Sequence, residues 1–179
     1  VARWKNNVFK LHPQHRWTAR PGYRILVADK GAVRFNFPQS WVLVPDKASI
    51  QLYDRQPPHD DCRLEVSVMY LPERDWSGLP LARLVEEVAD GDTRDILGRG
   101  EMHEIRRPNL EAAWLEMRFI DPGEQRAARS RVCLARRDTI QPLITCDFWA
   151  DDAPRVEKVW HEVLRSLTLG EYVDDPTRG

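Results

Sequence analysis

Short runs in which apolar and polar positions alternate make up most of this chain, and two apolar stripes of helical spacing interrupt them. Residues 23–29 (YRILVAD) and 32–37 read as strands separated by the turn pair Lys30-Gly31. Residues 41–44 and 50–53 are shorter strands, bounded by Pro45 and Asp54. The prolines of RQPPHDD (55–61) remove ladder donors, so this stretch is a loop. Residues 63–70 alternate cleanly, with Leu64, Val66 and Val68 on one face.

The period then changes. Leu81, Leu84, Val85 and Val88 recur at helical spacing behind Pro80, which predicts a helix ending near Gly91. Residues 92–100 read as a polar continuation and 101–107 as a polar strand. Strands over 112–120 and 126–136 flank the turn Asp121-Pro122-Gly123-Glu124, and a third over 140–149 follows the turn at Arg137-Asp138. On the first, Ala113, Leu115, Met117 and Phe119 share a face opposite Trp114, Glu116, Arg118 and Ile120. On the second, Val132 and Leu134 face in while Arg129 and Arg131 point out, so Glu116 is set for a cross-strand ion pair. Val156, Val159, Trp160, Val163, Leu164 and Leu167 then form the stripe of a final helix near 152–168. Asp151 and Asp152 stand where a helix N-terminus favours negative charge, and Gly170 stops the helix. Residues 173–179 are expected to fray.

Strands, a helix, an antiparallel meander and a closing helix indicate an α+β fold, an antiparallel sheet flanked by helices. The 179 residues suit one domain over 23–179, preceded by an arm or short helix over 1–22. Within this order, VRFNFPQSWVLVPD (33–46) reads as a corner. Phe35 and Phe37 alternate with Arg34 and Asn36, as in a half-buried strand, Pro38 ends the ladder, and Trp41 plugs the sheet's end.

The FNFPQSW step (35–41) and the segment ITCDFWADDAPRVEKVWHEVLRSLTL (144–169) resemble the Mog1/PsbP-like superfamily. The second segment is a last strand, an acidic turn and an amphipathic helix ending in a Ser-Leu step. The resemblance spans roughly 23–170 and implies an αβα sandwich around a mainly antiparallel sheet. Members of that superfamily include a Ran-GTPase-binding nuclear protein, the extrinsic photosystem II subunit and small bacterial proteins of unassigned role, so the fold carries no single function over.

Charge narrows the partners. Net charge is −1, from 27 basic and 28 acidic residues, which argues against nucleic acid as the primary partner. No run of eighteen apolar residues occurs. The missing signal-peptide core points to a cytoplasmic protein, with a leader ahead of Val1 left open. Cys62, Cys133 and Cys146 are widely spaced and read as buried free thiols.

Candidate chemistry is sparse. His12 and His15 make a metal half-site without a second pair at ligand spacing, and His161 lies at the boundary of the last helix. HDDC (59–62) holds the parts of a Cys–His nucleophile, but local clusters seldom produce the required geometry and a polar loop accounts for it. Asp147, Asp151 and Asp152 lack the loop of alternating oxygen ligands that a hard cation takes. GDTRDILGRG lacks the Lys-Ser/Thr of a phosphate loop. These absences predict no catalytic residue, no metal and no cofactor. Trp114, Arg118, Arg129 and Arg131 form a binding patch if their face is bare, whereas a helix covering that face makes Trp114 core. The expectation is a non-enzymatic binding or assembly-accessory protein whose partner is another protein. The alternatives are a hydrolase or metal-dependent enzyme using His59, Asp60, Asp61 and Cys62, and a small-ligand-binding domain.

Overall fold

The computed structural model describes residues 5–179; the first residues of the N-terminal arm, 1–4, lie outside them. The elements in chain order are β1 (Tyr23–Ala28), β2 (Val33–Pro38), β3 (Val42–Pro45), β4 (Ile50–Tyr53), β5 (Cys62–Tyr70), α1 (Leu81–Asp90), β6 (Ile96–Arg99), β7 (His103–Arg107), β8 (Leu110–Asp121), β9 (Arg126–Arg136), β10 (Ile140–Trp149), α2 (Ala153–Ser166) and β11 (Thr168–Leu169). They form two sheets. The large one runs β3-β4-β5-β10-β9-β8-β6, with β7 also on β8, and the small one runs β1-β2-β11. Every strand pair is antiparallel.

Period-two alternation on the long strands gives the large sheet two apolar faces, and each is buried against a helix. Ala113, Leu115, Met117, Val132 and Leu134 pack against Leu81, Val85 and Ala89 of α1. On the other face, Leu64, Val66, Cys133, Ala135, Ile144 and Phe148 join α2 and the small sheet in one continuous core. The αβα arrangement and the mainly antiparallel sheet are therefore as expected. The stripe of α2 is buried throughout. That of α1 is turned slightly, so Ala89 is buried and Val88 is exposed.

The first two strands of the small sheet are as read, but its third was not legible in the chain. β11 is two residues long and pairs with β2 at Thr168↔Arg34 and Leu169↔Val33. Nor does the acidic turn cap α2 by side-chain hydrogen bonds: residues 150–152 form a single 3-10 turn. Asp152 instead accepts from Arg155 at 3.0 Å. The C-terminal tail is held rather than frayed. His12 and Arg16 donate backbone N–H groups to Thr177 and Arg178, and the Trp17 indole donates to Pro176 O at 3.0 Å. Between β1 and β2 the tail crosses so close that a Cβ on Gly31 would lie 2.2 Å from Glu171 O, and Gly31 also sits at φ +106°. No side chain fits there.

The corner 33–41 is as read, except at Asn36. Trp41 is buried and donates its N–H to Pro38 O at 3.1 Å. Asn36, expected on the polar face of a half-buried strand, is buried because α2 covers it: its Nδ2 donates to Glu162 Oε1 at 2.9 Å. The Glu162 carboxylate, 2% exposed, also accepts from Arg165 Nη2 at 2.6 Å and lies 3.4 Å from Arg20. The Arg165 hydrogen bond foremost, and then that of Asn36, hold its carboxyl below the ordinary 4.5 against the opposing effect of burial. A depressed folded value means stability that is complete above the ordinary pKa and is lost as pH falls through the folded one. Glu162→Gln is therefore expected to cost about 1 kcal/mol at neutral pH and to flatten the acid limb of stability below about pH 5. Thermal melts of both proteins across that range check it; parallel acid limbs would remove Glu162 from the explanation.

Candidate functional site

The longest hairpin, β8–β9, carries the residues expected to bind. Register places Trp114 opposite Cys133, Glu116 opposite Arg131, and Arg118 opposite Arg129. All lie on the face toward α2, but α2 covers only part of it. At the covered end, Trp114 is half-buried, with His103 stacked 4.2 Å away and Trp160 of α2 edge-on at 5.6 Å. That end is core.

Arg131 was expected to point outward and does not. It is 4% exposed, because the face it occupies is the one α2 covers. Its Nε donates to Glu116 at 2.8 Å and its Nη2 to Glu157 at 2.5 Å. The guanidinium lies 5.2 Å from the Phe148 ring centroid, 5.5 Å from Trp114 and 5.7 Å from Trp160. Carboxylates and ring faces together compensate a charge that burial alone would make costly. Glu116 is the hinge of the cluster, since it also accepts from Arg129 at 2.8 Å.

Past Glu116 the face is bare. Arg118 is exposed and stands directly across from Arg129, a like-charge pair that costs local stability in an antiparallel ladder. The guanidinium of Arg118 lies over β6, where a Cβ on Gly98 would come within 2.7 Å of its Nη2. Two apolar side chains flank the pair, Ile120 at 40% exposure and Leu97 at 64%. The structure therefore splits the four expected residues: Trp114 and Arg131 form a buried cluster, and Arg118 and Arg129 a surface. Leu97 and Gly98 were missed because 92–100 was read as a polar continuation. The Ile-Leu pair at 96–97 between Asp95 and Gly98 was the available signal, with Ile96 facing in and Leu97 facing out.

The other candidates fall elsewhere. Cys62 turns into the core, its Sγ 3.7 Å from that of Cys146. Its hydrogen bond with Cys146, then burial, push the thiol well above its usual value, and burial pushes Cys133 up to about 12. Such thiols are inert at neutral pH. His59 is exposed, Asp61 pairs with Arg55, and Asp54 Oδ1 accepts from the N–H groups of Asp61 and Cys62. Asp60, Asp61 and Cys62 do meet Asp147 around an open cavity of about 300 Å³. There Asp147 is neutralised by Arg63 at 2.9 Å and Arg94 at 3.0 Å. Asp151 pairs with Arg126. His12 and His15 belong to one turn of the arm, and His161 is exposed. Among the described residues, no three His, Cys, Asp or Glu side chains cluster to hold a metal, and no helix is long and apolar enough to cross a membrane.

Comparison with known proteins agrees with this architecture. Residues 24–173 match the Alr1449 family. The chain is 46% identical over 178 residues to an uncharacterised Nostoc protein, alr1449, covering 99% of this chain and 93% of that one. Two solved structures share the fold at low identity. The Saccharomyces cerevisiae Ran-binding protein Mog1p superposes with a TM-score of 0.53 at 8% identity, covering 82% of this chain and 95% of its own. The PsbP protein CyanoP of Synechocystis gives 0.55 at 18%, covering 84% and 94%. The fold is Mog1/PsbP-like, as the FNFPQSW step and the C-terminal segment implied.

Proposed function

The chain belongs to the Alr1449 family, and from that premise we propose that it is a non-enzymatic binding or assembly-accessory protein that docks on another protein through the bare end of the β8–β9 face. The observation that carries this reading is exposed Arg118, set across from the half-buried Arg129 with Leu97 and Ile120 beside it. Among the described residues Arg118 has no carboxylate partner, and a like charge directly opposite it is a local cost, which is where a binding role is expected. The complementary occupant is a protein surface with a carboxylate beside an apolar centre, since the carboxylate would meet the Arg118 guanidinium and the centre would cover the two aliphatic side chains. The working unit is the domain 23–179, with the described part of the arm before it, residues 5–22, docked along it. That Mog1p binds Ran shows a use of this fold in protein recognition and supports the class of partner without naming it.

A photo-crosslinking residue at position 120 tests the reading, with one at exposed Lys47 as control. In cells that make the protein, position 120 should yield a discrete heteromeric product absent at position 47. Arg118→Glu should reduce that product about tenfold or more while leaving the melting temperature within a few degrees. Equal products at both positions, or none at 120, would sink the proposal.

A further inference from the structure

At the opposite end of the sheet, an open cleft of about 790 Å³ lies between the segment leading into α1, the β7–β8 turn and the β9–β10 turn. Its size falls in the range of small-molecule sites, and it is distinct from the surface assigned above. Two features point to what it takes. The first is the start of α1. Pro80 occupies the N-cap, no side chain caps the helix, and its first turn contains no acidic residue. The N–H groups there retain the partial positive charge that favours an anion. The second is Arg136, which lines the cleft and is 4% exposed. Its Nε donates to Glu111 at 2.7 Å and its Nη2 to Leu79 O at 2.9 Å, two residues before the helix begins. Its Nη1 is buried and has no partner. A buried guanidinium N–H without an acceptor is a cost that an incoming oxygen would remove.

The other charges are largely committed. Arg107 donates to the C-terminal carbonyls of Leu164 and Arg165. Arg106 pairs with Glu104, and Arg137 donates to Leu169 O and lies near Asp138. Asp75 turns back to accept from Ser77 N–H. The Arg74 guanidinium lies over the Trp76 ring, 3.6 Å from its centroid, forming a cationic, aromatic lip.

We propose that this cleft binds a small organic anion, a carboxylate or phosphate on an apolar body. The oxyanion is held by Arg136 Nη1 and the first-turn N–H groups of α1, and the body lies along Trp76 and Ile105. Phenyl phosphate and benzoate are suitable probes, with benzyl alcohol as the neutral control. Amide and Arg Nε–H chemical shifts are followed in the whole chain. Saturable shifts at Leu81 and Arg136, which line the cleft, are expected for at least one anion and not for the alcohol. The stronger of the two anions then identifies the headgroup.

Because Arg136 is buried, the decisive variant is Pro80→Asp. It places a carboxylate on the same N–H groups, so it should raise the melting temperature while weakening anion binding about tenfold. Arg136→Lys, if folded by its amide spectrum, should weaken binding as well. Undiminished binding in Pro80→Asp, equal shifts with benzyl alcohol, or no saturation by either anion would each overturn the proposal.

Discussion

Arg131→Ala is expected to destabilise the protein by about 3–5 kcal/mol, because it breaks a buried ion-pair cluster and strands its carboxylate. For a chain of this size that is a fall in melting temperature of roughly 6–20 °C. The partners decide the magnitude. The Glu157 side chain is half-exposed and would re-solvate, so its loss alone should cost no more than about 1 kcal/mol. Glu116 is held in the seam between the sheet and α2, and would keep Arg129 alone as its counter-ion. The removed guanidinium would also leave a gap among Phe148, Trp114 and Trp160. If this account is right, Arg131→Met combined with Glu116→Gln should recover most of the loss, since it removes both charges and refills the volume. Chemical denaturation of the single and double variants checks it. A double variant no better than Arg131→Ala would mean that the charge pairing, rather than the stranded carboxylate, holds the seam together.

The same residue shows what could be read from the chain. Strand alternation assigned the two faces of β8 and β9 correctly, since it depends on a backbone period that every strand obeys. It could not say which polar residues on the second face would be buried. That depends on where α2 stops, a tertiary matter set by the length of the 150–152 turn. Arg131 stands two residues from Cys133 and four from Ala135, both buried. An arginine in step with such neighbours was the signal that it enters the core. Arg136 carried the same signal through Leu134. β11 was illegible for another reason: two residues make no pattern, and the strand exists because the tail is pinned at Gly31. The bare end of the hairpin was half legible. Arg118 and Arg129 were found by face, whereas Leu97 was hidden beside a glycine whose absent side chain makes room for Arg118.

Trp160→Ala should cost about 3–5 kcal/mol, whereas Trp160→Phe should cost about 1. Trp160 is 1% exposed, on the stripe of α2 that meets both the large sheet and the Arg131 cluster. Truncation to alanine opens a cavity between layers that the rigid strands cannot close. Phenylalanine retains an aromatic edge for Trp114, now 5.6 Å away at 72°, and loses an indole N–H that is buried without a partner. Losing that orphan donor offsets part of the lost ring area. A double-mutant cycle with Trp114→Ala should give a coupling of about 0.5–1.5 kcal/mol, the scale of an aromatic pair beyond its area. The cycle also separates fold from binding. Trp160→Phe should leave crosslinking from position 120 intact, because the surface there rests on strands beyond the reach of α2. Loss of that crosslink in a well-folded Trp160→Phe protein would place the binding surface at the buried tryptophans instead of on Arg118 and Arg129.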